Sequence, residues 1–249
     1  MKGSAVMMEY SEYRVDHNGT KIHYLEINSH LKETTPLVIV PGLSESAEDY
    51  ISVLEKLAPR HCVVITLRGR GKSDSPKTGY TLEDHIADID SVITHLKLNE
   101  YVLMGFSRGV SYAIGYALQN TKALKGLIIG DYPAVHTQLP EGWVYFFSSL
   151  PPWRGKALKQ RMSKDALRGL QQESYLVPFW DELSKIKCPV LIIRGGKLGA
   201  VLSEDDVKKY QDKIPHAQVE VFVGHDHNLF EPDEETFIQT TELFMEGIE

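Results

Sequence analysis

The sequence offers no run of roughly 18 to 20 apolar residues, the length a membrane helix needs. Its first ten residues hold one lysine and an apolar stretch confined to residues 5–8, too short for the core of a secretory signal. Cysteine is scarce: Cys62 and Cys188 are the only two in 249 residues. Each stands at the start of an apolar run, which suits buried thiols in a reducing cytosol rather than a disulfide framework. A basic excess is also missing, since 34 acidic against 27 basic residues leave a formal charge of −7. That balance gives no electrostatic reason for a nucleic-acid or anionic-membrane partner. The expected chain is cytoplasmic, with a small molecule as partner and no membrane or nucleic acid. No Gly/Ser/Pro-rich linker, internal repeat or low-complexity segment divides it, so one large core is expected.

What is present is a regular alternation. Asn18-Gly19 sits between two partly alternating stretches in residues 10–27, a strong hairpin signal. Short, fully apolar runs of the kind buried in a parallel sheet follow at 36–40, 62–67, 101–104, 127–129, 189–193 and 219–223. Helical spacing fills the intervals at 48–57, 82–96, 108–118, 203–213 and 234–245. The clearest case places Leu82, Ile86, Ile89, Ile93 and Leu96 on one face, with Thr81 as N-cap. The pattern predicts an α/β fold: a mostly parallel, twisted eight-stranded sheet with helices on both faces. One segment breaks the rhythm, for residues 135–184 far exceed a single crossover. This predicts a core of residues 1–134 and 185–249 with a helical cap inserted at 135–184. The insertion holds all three tryptophans, Trp143, Trp153 and Trp180, with Tyr145, Phe146, Phe147, Tyr175 and Phe179. These aromatics form either a satellite core or a pocket wall, and Trp143, Phe147 and Trp180 are the expected substrate-binding residues.

Gly105-Phe106-Ser107-Arg108-Gly109 directly follows the run 101–104 and opens a helical pattern. A G-x-S-x-G string arises often by chance, but between strand and helix it reads as a sharp turn presenting a serine nucleophile. Residues two positions either side must be small so that strand and helix can approach. A serine hydroxyl is a weak nucleophile at neutral pH, so an imidazole must take its proton. A late histidine is available after the last apolar run, in Gly224-His225-Asp226-His227. The His-x-His pair also suggests a metal site, yet no cysteine or carboxylate cluster at ligand spacing accompanies it. No metal or cofactor is expected.

On these residues the chain resembles the α/β-hydrolase superfamily over most of its length. The resemblance implies that His227, the fourth residue of the Gly-x-x-His element, is the general base in preference to His225. It implies that Pro41-Gly42-Leu43 is the oxyanion loop, with the backbone N–H groups of Leu43 and Arg108 as donors. Arg68-Gly69-Arg70-Gly71-Lys72-Ser73 matches the superfamily's structural Arg-Gly-x-Gly-x-Ser turn, with Thr66 where an aspartate is usual. The acid departs from the common pattern. Its usual place after the run 189–193 is taken by Leu198, and a leucine cannot hold an imidazole tautomer or stabilise its charge. Some relatives, certain lipases and haloalkane dehalogenases among them, carry the acid at the end of the sixth strand, where this chain has Asp131. Asp131 is therefore the expected acid, Glu204 and Asp205 are fallbacks, and Asp226 is disfavoured by its direction in an extended loop.

The expected activity is hydrolysis of an ester, lactone or related acyl bond of a small to medium, largely apolar substrate through an acyl-enzyme. Arg70, Tyr145 and Arg154 are candidates for anchoring a polar group, with solvated or structural roles as the alternative. Dehalogenase chemistry is disfavoured because those relatives use an aspartate in place of Ser107. Carbon–carbon bond hydrolysis stays open, as do a ligand-sensing receptor with little turnover and a degenerate structural relative.

Overall fold

A computed structural model describes residues 10–31 and 34–249. The segment read above for a secretory signal lies, but for Tyr10, outside them. The chain opens with a hairpin of β1 (Ser11–His17) and β2 (Thr20–Ile27), antiparallel in register. Asn18 and Gly19 between them have φ of 50° and 84°, the two left-handed residues that let a tight turn match the strand twist. Six further strands complete the main sheet: β3 (Leu37–Val40), β4 (Cys62–Thr66), β5 (Tyr101–Phe106), β6 (Leu124–Gly130), β9 (Val190–Gly195) and β10 (Gln218–Phe222). The sheet order is β1-β2-β4-β3-β5-β6-β9-β10, with β1/β2 and β2/β4 antiparallel and every other pair parallel. No helix among the described residues is long and apolar enough to cross a membrane.

The central strands are apolar on both faces, and successive residues go to opposite sides. Val38, Val63, Leu103, Leu127 and Ile192 pack with helices α2 (Leu82–Leu96), α3 (Gly109–Gln119) and α6 (Glu204–Lys213). Their neighbours Leu37, Val64, Val102, Ile128 and Leu191 pack with α1 (Ile51–Lys56) and α7 (Glu235–Glu246) on the other side. Helices therefore cover both faces. Thr81 accepts the Asp84 N–H while Asp84 returns a bond to the Thr81 amide, closing a capping box at the start of α2. Cys62 is buried as expected, and burial pushes its thiol pKa up. Cys188 departs from that expectation, being only half-buried, with a pKa raised to about 11.

Between β6 and β9 lies the segment that interrupts the alternation. It contains β7 (Val135–His136), α4 (Trp143–Ser148), α5 (Lys164–Glu173) and β8 (Val177–Pro178), with β7 and β8 paired as an antiparallel stem. A separate apolar cluster of Tyr80, Leu139, Trp143, Met162, Ala166, Leu167 and Leu170 holds it together. The Arg-Gly-x-Gly-x-Ser turn seats the segment: the Gly71 N–H donates to the Arg161 carbonyl at 3.0 Å. Thr66, at the place of the usual aspartate, uses its hydroxyl oxygen to accept the Ala47 N–H and to meet His23 Nδ1, each at 2.9 Å.

Candidate active site

Ser107 stands between β5 and α3 with φ of 52°, a left-handed conformation that an L-residue holds only when its surroundings impose it. A Cβ on Gly105 would lie 2.6 Å from Val110 Cα, and one on Gly109 would lie 2.4 Å from the Val40 and Pro41 carbonyl oxygens. Any side chain at either position would push the strand and the helix apart, which explains the two glycines flanking the serine.

The loop after β10 carries His227 to this turn. Its Nε2 lies 2.9 Å from Ser107 Oγ, and its Nδ1 lies 2.8 Å from Asp131 Oδ2. Phe106 stacks on the imidazole with centroids 5.2 Å apart. Asp131, fully buried just past β6, itself adopts φ of 46°. Its Oδ1 accepts the Gly195 and Leu202 N–H groups at 3.1 and 3.3 Å, and its Oδ2 also accepts the Val201 N–H at 2.8 Å. The loop that would ordinarily supply the acid thus supplies backbone donors to a carboxylate from the neighbouring strand. Leu198, at its tip, is fully exposed.

The competing candidates lie elsewhere. His225 is buried, with Nε2 3.1 Å from the Asp233 carbonyl oxygen. Asp226 accepts the Asn228 N–H. Glu204 and Asp205 stand in the first turn of α6 with side chains 77% and 83% exposed, facing Arg194 and Lys208 rather than the imidazole.

Among the described residues, neither the Leu43 nor the Arg108 backbone N–H donates to a protein acceptor. Leu43 lines the same cavity as Ser107, and Arg108 is the residue that follows the serine. The Arg108 side chain is buried on the far side, donating to Tyr112 Oη, to Thr137 Oγ1 and its carbonyl, and to His136 Nε2. Burial and the Arg108 charge push His136 down to about 3, so its ring is neutral.

A cavity of about 330 Å³ opens beside Ser107 and His227. Leu43, Phe106, Phe147, Leu150, Pro152, Trp153 and Leu158 form its apolar wall. Phe147 is the one expected wall residue present. Trp143, expected beside it, lies behind, stacked on Phe147 at 4.8 Å within the satellite cluster. Trp180, also expected there, packs edge-on against Tyr210 at 5.0 Å with Lys209 over its ring. Helix α4 turns one face to the cavity and one to its own cluster, and the residues after it reach the main core, so aromatic content alone misplaces both tryptophans. Tyr145 is exposed, and Arg70 is buried beneath the loop, donating from Nε to the Leu43 carbonyl at 2.8 Å.

Nothing in the sequence singles out Glu45 or Arg161, and Trp153 stands there only among the insertion's aromatics, satellite core or pocket wall alike. Glu45 is buried, accepting the Trp153 indole N–H at 2.8 Å, and Arg154 stands 3.5 Å away with its guanidinium over Phe230. Arg161 and Lys156 line the cavity and share one carboxylate, Asp49, at 2.7 and 2.8 Å, while Glu45 adds a second negative charge to the lining. No periodicity marks these residues; only the docking of the inserted segment on the loop after β3 brings them to the site.

The comparisons agree with this architecture. The chain is 34% identical over 121 residues to the N-formylmaleamate deformylase of Pseudomonas putida, a match covering 48% of this chain and less than half, 44%, of that protein's length. It is 23% identical over 267 residues to the 2-(acetamidomethylene)succinate hydrolase of Mesorhizobium japonicum, covering 90% of this chain and 92% of that one. An esterase of Exiguobacterium antarcticum superposes with a TM-score of 0.77 at 24% identity, over 95% of this chain and all of that one, a likeness of fold. Residues 35–186 match the family described as alpha/beta hydrolase fold, and the chain belongs to that family.

Proposed function

We propose that the chain is a serine hydrolase that transfers an acyl group from an ester or lactone to water. In this reading Ser107 Oγ attacks the carbonyl while His227 Nε2 takes its proton, and the imidazolium is held and stabilised by Asp131. The oxyanion rests on the Leu43 and Arg108 N–H groups, which face no other acceptor. The imidazolium gives that proton to the departing alcohol oxygen, leaving the acyl group on Ser107; the imidazole then takes a proton from water as it attacks the acyl carbonyl, and returns it to Ser107 Oγ as the acid leaves. The carrying observation is the hydrogen-bonded series Ser107, His227, Asp131 beside an apolar cavity. Residues 135–184 act as a cap, dividing the hydrolase core into 1–134 and 185–249.

The cavity supports a small to medium, uncharged acyl group. At about 30 Å³ per non-hydrogen atom, the liquid volume of one water, its 330 Å³ holds on the order of ten such atoms. The names of the deformylase and the succinate hydrolase point to substrates bearing carboxylates. Binding those here would set a second carboxylate beside the buried Glu45, and the cavity's two cations, Arg161 and Lys156, are already engaged with Asp49. An uncharged ester or lactone meets no such cost.

The test is a series of neutral p-nitrophenyl esters assayed beside an analogue carrying a terminal carboxylate, with wild type and Ser107→Ala. The proposal requires turnover that Ser107→Ala removes and a preference for the neutral acyl group. Labelling of Ser107 by a fluorophosphonate without turnover would instead indicate a ligand sensor. Preference for a diketone over every ester would indicate carbon–carbon bond hydrolysis.

A further inference from the structure

The backbone polar atoms around Leu43 are tied one after another. The Gly42 N–H donates to Glu45 Oε2 at 3.0 Å, and the Gly42 carbonyl accepts the Glu45 N–H at 3.2 Å. The Leu43 carbonyl accepts Arg70 Nε at 2.8 Å, and the Ser44 carbonyl faces Arg161 Nη1 at 3.4 Å. Within this stretch the Leu43 and Ser44 N–H groups are left without a protein acceptor among the described residues, and of the two the Leu43 N–H belongs to the peptide whose Gly42 carbonyl is tied to Glu45. A donor aimed at a developing charge is effective when its peptide plane is fixed before reaction, and these bonds fix the planes on both sides of it.

Glu45 does more than close this loop. Its Oε2 also accepts the Tyr50 hydroxyl at 2.6 Å, while its Oε1 accepts the indole N–H of Trp153, across 108 residues of sequence, at 2.8 Å. One buried carboxylate therefore holds the oxyanion loop with one oxygen and the inserted segment with the other. Trp153 also lines the cavity, and its ring lies 6.1 Å from that of His227.

We propose that Glu45 is a positioning residue that couples the seating of Trp153 to the Leu43 N–H, so that the oxyanion donor is set when the inserted segment is down on the site. The proposal rests on the serine-hydrolase reading above. It has a directional consequence that simple charge does not share. A carboxylate beside a developing oxyanion repels it, so neutralising Glu45 through charge alone raises turnover. Coupling predicts the reverse, because a glutamine has one acceptor oxygen and one donor amide. If its oxygen takes the Gly42 N–H, its NH₂ meets the indole N–H, donor against donor, and one tie is lost.

Trp153→Phe keeps a six-membered aromatic ring but removes the N–H together with the rest of the indole; Glu45→Gln removes one tie; the double variant completes a cycle. For each, kcat and KM on a neutral p-nitrophenyl ester are measured, together with inhibition by phenylboronic acid, whose tetrahedral adduct on serine mimics the oxyanion state. Loss of an oxyanion donor costs on the order of a hundredfold or more and a displaced one less, so we expect Trp153→Phe to lower kcat about 3- to 10-fold and Glu45→Gln about 10- to 100-fold. KM should stay within about twofold, boronate affinity should fall in step with kcat/KM, and the double variant should be no slower than Glu45→Gln, as coupled residues show non-additive losses. Losses that multiply, a Trp153→Phe effect confined to KM, or a faster Glu45→Gln each overturns the coupling. Should Glu45→Gln fail to fold, the Trp153→Phe boronate affinity decides alone, an unchanged value overturning the proposal. Activity that survives Ser107→Ala overturns the serine reading instead, which separates the two failures.

Discussion

His227 Nδ1 and Asp131 Oδ2 lie 2.8 Å apart across 96 residues of sequence, and Asp131 is held for that contact by three backbone N–H groups, one at the end of β9 and two in the loop after it. Replacing Asp131 by asparagine turns an amide NH₂ toward a donor on one side or the other. Turnover should fall by roughly 10³ to 10⁴, as when a triad carboxylate is neutralised, and stability by about 1–3 kcal/mol for the unsatisfied donor. Ester turnover and denaturant unfolding of Asp131→Asn check both.

Glu204→Gln and Asp205→Asn should leave turnover within about twofold of wild type, since both side chains are exposed in the first turn of α6. A large loss in either would move the acid away from Asp131.

Trp143 and Phe147 stack on each other yet face different surroundings. Trp143→Ala should cost about 3–5 kcal/mol by emptying a packed cluster. Phe147→Ala should instead enlarge the cavity, shifting the best ester toward longer acyl chains. Thermal unfolding and an acyl-length series separate the two effects.

His136 supplies a pH prediction. Its neutral ring accepts from Arg108 on one side and meets Ser111 Oγ at 3.0 Å on the other, and its pKa is pushed down to about 3. In the unfolded chain the same group titrates near the ordinary value of about 6.5. Between those values the unfolded state binds a proton that the folded state refuses. Stability from this group is therefore complete above about pH 6.5 and declines as pH falls toward 3, by about 1.4 kcal/mol per pH unit. His136→Asn should flatten the slope between pH 6 and 4 by about one proton relative to wild type, read from urea midpoints.

Much of this molecule is local in origin. The hairpin follows from Asn18-Gly19, the sheet from short runs apolar on both faces, and α2 from a one-sided stripe with Thr81 ahead of it. The serine turn is local in part: Gly105 leaves room for Val110 just beyond it, whereas Gly109 leaves room for the distant Val40 and Pro41. The resemblance to hydrolases pointed to Asp131 once Leu198 stood in the usual place, and the distance to His227 agrees with it. Composition was silent on which aromatics face the cavity, on Glu45 gripping both the loop after β3 and Trp153, and on Asp49 being shared by Arg161 and Lys156. Periodicity reports the face an element buries against its own neighbours. The inserted segment joins the site by contacts more than a hundred residues apart, between side chains with no pattern of their own, so only its docking on the sheet decides what surrounds the serine.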